Sequence, residues 1–244
     1  MIAAWLGFIV SGIALALVLA GLIGAYFSLT APLVAFQVFL LGLALGVLAL
    51  VCGLIGLFRT RRPQWRSAHG KAVLASYLGA MLTALFVYLA LGAKGYPPIN
   101  DITTDVTNPP EFVRATSLPE NQGRKLGYEK AKYAQPQQQG YGMLEPLRIP
   151  LDPDQAYKEV TELASTMHGW DITYKDPKTR SIEGVAVTPL FHFHDDFIIQ
   201  VRPAPSGSIV EMRSKSRDGV GDVGANYSEA NFPFLGRQKP EHGP

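Results

Sequence analysis

No charged residue occurs between Met1 and Phe58, and the first acidic residue of the chain is Asp101. Only 17% of the 244 residues are charged, whereas an ordinary soluble chain has roughly 25%. The part that follows Lys94 holds 16 basic and 20 acidic residues, a net charge of −4. These observations exclude a purely soluble protein, and the acidic balance of the second half excludes nucleic acid as its partner.

Cysteine is almost absent. Cys52, the single cysteine, lies inside an apolar run, where a thiol behaves as a small hydrophobic group. A redox or metal-binding role for Cys52 is therefore not expected, and no cofactor is predicted. Residues 95–244 contain no cysteine, so this part of the chain must fold without a disulfide.

Three apolar stretches, at about 4–27, 33–58 and 72–93, are long enough for membrane-spanning helices. A helix needs roughly 20 apolar residues to cross the hydrocarbon core. Pro32 lacks an amide donor and suits the first turn of the second helix. The sequence therefore predicts a three-helix membrane anchor over residues 1–94, with the lipid bilayer as a partner.

The basic residues between these stretches predict the orientation of the anchor. Five arginines and lysines lie within 59–71, whereas the connection at 28–32 carries none. Loops rich in arginine and lysine remain in the cytoplasm. We therefore expect a multi-pass protein of the bacterial inner membrane with a cytoplasmic N-terminus. Residues 95–244 are then extracytoplasmic, which means periplasmic in a Gram-negative bacterium.

Small residues recur at four-residue spacing in the second and third stretches, where they let helix backbones approach closely. Two interpretations stay open, because these faces would suit either packing of the three helices on one another or docking onto a larger membrane complex. The candidate helix-packing residues are Gly42, Gly46, Gly53, Ser76 and Ala80.

The exported half divides into an extended arm at 95–150 and an α+β domain at 151–244. Prolines, glycines and a glutamine-rich tract interrupt the arm, which is predicted to hold one short strand near 99–104. Three tyrosines are expected to attach the arm to the domain, although an aromatic ligand platform is the alternative. They are Tyr128, Tyr133 and Tyr141.

The domain begins with a helix signal at Asp152-Pro153, an N-cap followed by proline at the first helical position. Apolar residues of helical period continue to Met167, and Gly169 can end the helix in the left-handed conformation. Four alternating strands follow up to Ser216, and a short helix is expected at 225–235. The pattern predicts an antiparallel sheet packed by helix on one face and exposed to solvent on the other.

Several segments resemble the bacterial and plastid family called domain of unknown function family 1499. The similarity extends over about 98–236 and supports the fold and its boundaries, but it implies no reaction. The segments that carry it are 98–105, 109–112, Gly169-Trp170, 182–186, Phe193 to Asp196, Arg202, 210–217 and 221–226.

One candidate site consists of His192, His194 and Asp196. Two histidines separated by one residue share a face in a strand, so together with the carboxylate they could bind zinc or copper. The alternative interpretation is a polar connection before the next strand. That alternative is favoured, since a histidine pair without a third, distant histidine is a weak metal-binding signal and the family resemblance does not include the histidines.

A second candidate site joins strand-borne basic groups to a glycine-rich turn, where an anion or headgroup could bind. The alternative is a solvated strand face followed by a capped turn, because the phosphate-binding pattern G-x-x-x-x-G-K-[ST] does not occur. The residues are Arg213, Ser216, Arg217, Asp222 and Asn226.

The leading hypothesis is a non-catalytic inner-membrane protein that presents its α+β domain for binding or assembly within a larger membrane or envelope complex. A module for an anionic or lipid-like envelope ligand is the second hypothesis. A periplasmic hydrolase or metalloenzyme is the third, although no nucleophile motif G-x-S-x-G supports it.

Overall fold

The computed structural model of the chain describes residues 1–142, 144–219 and 221. These residues form two compact units. The first contains residues 1–94 together with 190–192, and the second contains the other described residues from 95 onwards. The helix predicted at 225–235 lies outside the described residues.

Three helices form the first unit, and each is long and apolar enough to cross a membrane. Pro32 occupies the first turn of the second helix, as its missing amide hydrogen predicts. The third helix starts earlier than the apolar pattern indicated. Its first residues are polar, and hydropathy alone therefore did not include them in the helix. The helices are α1 (Ile2–Tyr26), α2 (Pro32–Arg59) and α3 (Arg66–Gly92).

Glycines of α2 lie where the helix backbones approach most closely. A Cβ atom on Gly42 would lie 2.7 Å from the amide nitrogen of Val18 in α1. A Cβ atom on Gly53 would lie 2.6 Å from the amide nitrogen of Ser76 in α3. A Cβ atom on Gly46 would lie 2.5 Å from the Cβ atom of Leu82 in α3. The central helix therefore packs against both neighbours through positions that accept no side chain.

The predicted packing role of Ala80 is wrong for these three helices, because Ala80 is exposed. Buried residues of α3 instead follow the spacing of Ala72, Ala75, Gly79 and Leu82. A strict four-residue spacing drifts by about 40° per step around a helix of 3.6 residues per turn. Alternating steps of three and four keep a stripe on one face, which is the pattern that α3 adopts.

The second unit is built on one antiparallel sheet of six strands, in which β1 and β2 both pair with β6. Among its described residues this unit also has two α-helices, α4 (Lys130–Gly140) and α5 (Pro153–Thr166). The strands are β1 (Asp101–Thr103), β2 (Leu147–Ile149), β3 (Trp170–Asp176), β4 (Ser181–Val187), β5 (His194–Ala204) and β6 (Gly207–Ser216).

Helix α5 packs on one face of the sheet, as predicted. The Asp152 carboxylate accepts a hydrogen bond from the Asp154 amide at 2.9 Å and thereby caps the helix. Ala156, Val160 and Ala164 are buried against apolar residues of the strands. Gly169 has φ = +80°, but the helix ends at Thr166, so this glycine shapes the turn into β3 instead of ending the helix.

Residues 95–150 contain more regular structure than the sequence pattern indicated. The strand predicted near 99–104 is β1, but β2 and α4 were not predicted, and Pro136 lies inside α4. The Gln137 side chain donates to the Thr103 carbonyl at 2.6 Å and accepts from its amide at 3.1 Å. Helix α4 therefore satisfies the free edge of β1. The three tyrosines predicted to attach this segment to the domain, Tyr128, Tyr133 and Tyr141, belong to one apolar cluster of the segment itself. Two of them also meet β6, because Arg213 lies 5.3 Å from the Tyr128 ring and Lys215 lies 5.4 Å from the Tyr133 ring.

The prediction that one sheet face meets solvent is wrong. Glu183, Asp196 and Arg213 lie on the face opposite α5 and are fully buried. Residues 105–128, called the covering segment below, pass over this face. The sequence pattern correctly predicts one apolar and one polar face of the sheet. The covering segment, however, lies over the polar face in place of solvent.

The close approach at Gly42 generates a test of the helix packing. Gly42→Ala should lower the thermal stability of the full chain in detergent, because overpacking costs about 1–3 kcal/mol. Cys52 is buried and is the only cysteine, so its labelling by a thiol-reactive dye during heating reports opening of this unit.

Gly12→Ala is the matched control, since a Cβ atom on Gly12 meets nothing within 4 Å. Alanine favours helix over glycine by about 1 kcal/mol, so Gly12→Ala should label at the wild-type temperature or higher. Equal stability of the two variants would contradict the packing.

Candidate functional site

The face of the sheet opposite α5 carries a set of charged side chains and is called the charged face below. Strand pairing brings these residues together, because Asp101 pairs with Lys215 and Thr103 pairs with Arg213. Neighbouring strands place paired residues on the same side. On β1, β4, β5 and β6 the charged residues of this face are Asp101, Glu183, Asp196, Arg202, Glu211, Arg213 and Lys215.

Asp101 is the central anion of the charged face. Its two carboxylate oxygens each accept a hydrogen bond from Arg213 at 2.8 Å, from Nε and from an Nη. The Lys215 ammonium lies 2.9 Å from the same carboxylate. Asp101 and Arg213 are fully buried, so each charge depends on the other for compensation.

Arg213 also connects the sheet to the covering segment. Its guanidinium donates to the Pro110 carbonyl at 3.2 Å and to the Leu126 carbonyl at 2.6 Å. The Phe112 ring lies 4.9 Å from the guanidinium carbon, within the range of a cation–π contact. One buried side chain therefore holds two parts of the covering segment that are 16 residues apart in sequence.

Glu183 binds the middle of the covering segment. Its carboxylate accepts hydrogen bonds from three successive backbone amides, those of Val113, Arg114 and Ala115, at 2.8, 2.9 and 2.7 Å. These amides begin a short helical turn and would otherwise lack acceptors. The buried carboxylate and the orphan amides therefore satisfy each other.

A second arginine cluster surrounds Asp196. Arg217 donates to this carboxylate at 2.6 Å and Arg124 donates to it at 2.7 Å. Arg124 also donates to the Ser216 carbonyl at 2.7 Å. Burial, the largest single effect, lowers the pKa of Arg217, but the hydrogen bond to Asp196 and the charges of Asp196, Glu120 and Asp218 together raise this pKa overall. Through Arg124 the cluster attaches the end of the covering segment to the sheet.

Beside Arg202 the charged face opens into a cleft of ≈ 410 Å³. Arg202 lies 2.9 Å from the Glu211 carboxylate, and both Nε and Nη2 donate to the Gln200 side chain. Burial raises the pKa of Glu211. Sequence reasoning missed this cleft, because its lining comes from residues 108–113 and from three strands that are distant in the sequence.

Comparison with protein families identifies the domain that carries this charged face. The model of the family described as protein of unknown function (DUF1499) matches residues 101–231, more than half of the chain. The chain belongs to this family. The match begins at Asp101 and includes every residue of the charged face. The comparison with curated proteins finds no match.

The predicted anion-binding residues of the DUF1499 domain already have partners within the domain. Arg213 is bound to Asp101 and Arg217 to Asp196, while the Ser216 hydroxyl donates to the Asp218 carbonyl at 3.1 Å. No cation of this set is presented to an external anion in the described part of the chain. Asp222 and Asn226 lie outside the described residues.

The predicted metal-binding residues do not come together as a metal site. His192 has φ = +55° in the connection before β5, and the His194 amide donates to Asp218 at 3.2 Å. The Asp196 carboxylate is bound to its two arginines. Within residues 1–142, 144–219 and 221, no group of three or more His, Cys, Asp or Glu side chains is arranged to hold a metal ion.

Removing the central anion tests the charged face. Asp101→Asn leaves Arg213 and Lys215 without a compensating charge, and breaking a buried pair costs about 3–5 kcal/mol. Asp154→Asn, the matched control, breaks an exposed ion pair with Arg180 and should cost about 0–1 kcal/mol.

Urea unfolding of the full chain in detergent measures both costs through the fluorescence of Trp170, which packs 4.2 Å from the Phe197 ring. Trp5 and Trp65 are replaced by phenylalanine in every protein compared. Equal midpoints for the two aspartate variants would contradict a stabilising role for Asp101.

The raised pKa of Glu211 predicts a pH dependence of stability. A folded protein in which this pKa is raised binds a proton more tightly than the unfolded chain does. The contribution of Glu211 is therefore fully present below the ordinary value of 4.5 and is lost as the pH rises through the raised value.

Glu211→Gln should flatten the dependence of the free energy of unfolding on pH just above 4.5, as measured by urea unfolding. Glu162→Gln is the control, because Glu162 is exposed on α5. A Glu211→Gln profile parallel to that of the wild type would contradict this assignment.

Proposed function

We propose that this protein is a non-catalytic component of the bacterial inner membrane that presents its DUF1499 domain on the extracytoplasmic side, in the periplasm of a Gram-negative cell. There the domain serves binding or assembly within a larger membrane or envelope complex. The observation that carries the proposal is a helix unit with three membrane-length helices, in which five of the six arginines and lysines lie within 59–71.

The geometry of the helix unit supports this orientation. The Lys71 ammonium lies 4.2 Å from the centre of the Trp5 ring, so the N-terminal end of α1 and the basic connection share one end of the unit. Arg61 lies 4.3 Å from the Phe58 ring at the end of α2. Positive residues favour the cytoplasmic side, and α3 then carries the chain out of the cytoplasm.

A binding role agrees with how the domain uses its charges. The carboxylates of Asp101, Glu183 and Asp196 are buried and hydrogen-bonded to the domain's own arginines and amides. A general acid or base needs access to substrate, which these groups do not have. They support the fold, and the surface above them is free to act in recognition.

The proposed alternatives receive less support. An anionic envelope ligand at Arg213 would have to displace Asp101 from a fully buried pair. A hydrolase or metalloenzyme built on His192, His194 and Asp196 would have to free the aspartate from Arg124 and Arg217. Both would require the covering segment to lose its attachments.

Labelling of introduced cysteines tests the orientation. In a Cys52→Ala background, Lys178→Cys lies in the exposed turn between β3 and β4, and Gln64→Cys lies in the exposed basic connection. A membrane-impermeant maleimide should label Lys178→Cys in intact spheroplasts, and Gln64→Cys only after lysis. The opposite pattern would contradict the proposal.

Extraction from native membranes in a mild detergent tests the assembly role. Native electrophoresis should show the chain in a particle with copurifying protein or lipid, because the domain is proposed to act within a complex. Recovery only as an isolated monomer would contradict that role and leave the orientation result standing.

A further inference from the structure

The cleft beside Arg202 has the size and composition of a ligand site. Its volume of ≈ 410 Å³ falls in the range of small-molecule sites, about 300–1,000 Å³. The covering segment forms one wall and strands β3, β4 and β5 form the remainder. Every lining residue belongs to the DUF1499 domain and lies within the described part of the chain.

Apolar surface is available on both sides of the cleft. The buried side chain of Ile198 forms the floor of the cleft, whereas Val113 in the covering segment keeps 62% of its surface exposed. The Tyr174 ring, half-buried on β3, also lines the cleft. Val113 is held in place by its backbone amide, which donates to Glu183 at 2.8 Å. An exposed aliphatic side chain on an anchored backbone can pack against the C–H face of a ligand.

Arg202 provides hydrogen-bond donors within the cleft. Its Nε and Nη2 atoms are directed to Gln200 and Glu211, and Nη2 also lies 3.5 Å from the Asn108 carbonyl. Its Nη1 atom has no hydrogen-bond partner among the described residues, and the side chain is 32% exposed. The fork is therefore held in position with two N–H donors unused.

Acceptors and hydroxyls lie on the other sides of the cleft. Asp176 accepts from the Thr179 hydroxyl at 2.8 Å, and Thr179 is 2.9 Å from the Ser181 hydroxyl. The Thr179 hydrogen bond lowers the pKa of Asp176, so this carboxylate is ionised at neutral pH. Glu111 is exposed at the rim. The cleft therefore offers both donors and acceptors.

The distribution of charge selects among ligand classes. Arg202 is balanced by Glu211, and the remaining ionised groups, Asp176 and Glu111, are both negative. An anion that approached the arginine would meet three carboxylates, and a cation would meet the arginine. An uncharged ligand with many hydroxyls avoids both penalties and can accept from Arg202 while it donates to the carboxylates.

We propose that this cleft binds an uncharged saccharide, a class of ligand that this chain's domain would meet on the extracytoplasmic side. The proposal rests on the proposed function for its setting. Sugar hydroxyls bond to Arg202, Asp176 and Glu111, and the C–H face of a ring packs on Val113 and Tyr174.

Saturation-transfer difference NMR on the full chain tests this directly. The chain is placed in lipid nanodiscs, because alkyl maltoside detergents would themselves supply a saccharide. The probes are maltotriose, cellotriose and triacetylchitotriose at millimolar concentration, with inorganic phosphate and spermidine as competitors. At least one oligosaccharide should give a transfer signal that neither competitor removes.

Two variants locate the binding in the cleft. Val113→Trp fills the space from its exposed rim and should abolish the signal, whereas Lys125→Trp places the same ring on an exposed part of the covering segment and should not. Asp176→Asn weakens one acceptor of the sugar hydroxyls in the cleft and should weaken binding by about threefold to tenfold. Asp154→Asn, at an exposed aspartate of α5, is its control.

The possible outcomes separate the proposals. No signal from any of the three oligosaccharides, or displacement by phosphate or spermidine, overturns the saccharide assignment. An equal signal in Val113→Trp and in the wild type overturns the cleft as its site. The labelling of Lys178→Cys is measured independently, so a failure here leaves the orientation proposal intact.

Discussion

The buried bidentate pair between Asp101 and Arg213 constrains the whole second unit of the chain, from residue 95 onwards. Two ions removed from water are tolerated only when each has its partner and its remaining hydrogen bonds. Arg213 meets this condition only when the covering segment supplies the carbonyls of Pro110 and Leu126. The pair therefore joins β1, β6 and the covering segment into one folding unit.

This constraint explains why a sheet with charged residues on one side is not exposed there. Two further buried carboxylates are compensated in a similar way: Glu183 accepts hydrogen bonds from backbone amides, and Asp196 accepts them from arginines. The described residues of this domain contain no disulfide. Buried ion pairs and hydrogen bonds therefore connect distant parts of the chain noncovalently. Removing one partner of such a pair is costly, because it leaves the other charge buried without compensation.

Periodicity in the sequence was sufficient to predict the elements that depend on local patterns. Runs of apolar residues located α1 to α3, the capping pair at Asp152-Pro153 located α5, and alternation located β3 to β6. Helix α4 was missed because Pro136 lies in its interior, where proline removes an amide donor and is unfavourable. The bonds of Gln137 to β1 help to hold the helix in place.

The candidate site could be predicted only in part, for a physical reason. Arg213 and Asp196 were recognised as chemically notable, but their partners lie as far as 112 residues away in the sequence. Spacing rules report which residues share a face and not what covers that face. Ala80 shows the same limit within the helix unit, where a regular spacing predicted a packed position that the helix geometry turns outward.

Amide hydrogen exchange of the full chain, read by mass spectrometry, tests the attachment of the covering segment most directly. The account predicts that the amides of Val113, Arg114 and Ala115 exchange as slowly as those of β5 and β6. Both sets of hydrogen bonds are expected to open only when the covering segment separates from the charged face. Rapid exchange of these three amides beside a protected sheet would contradict it.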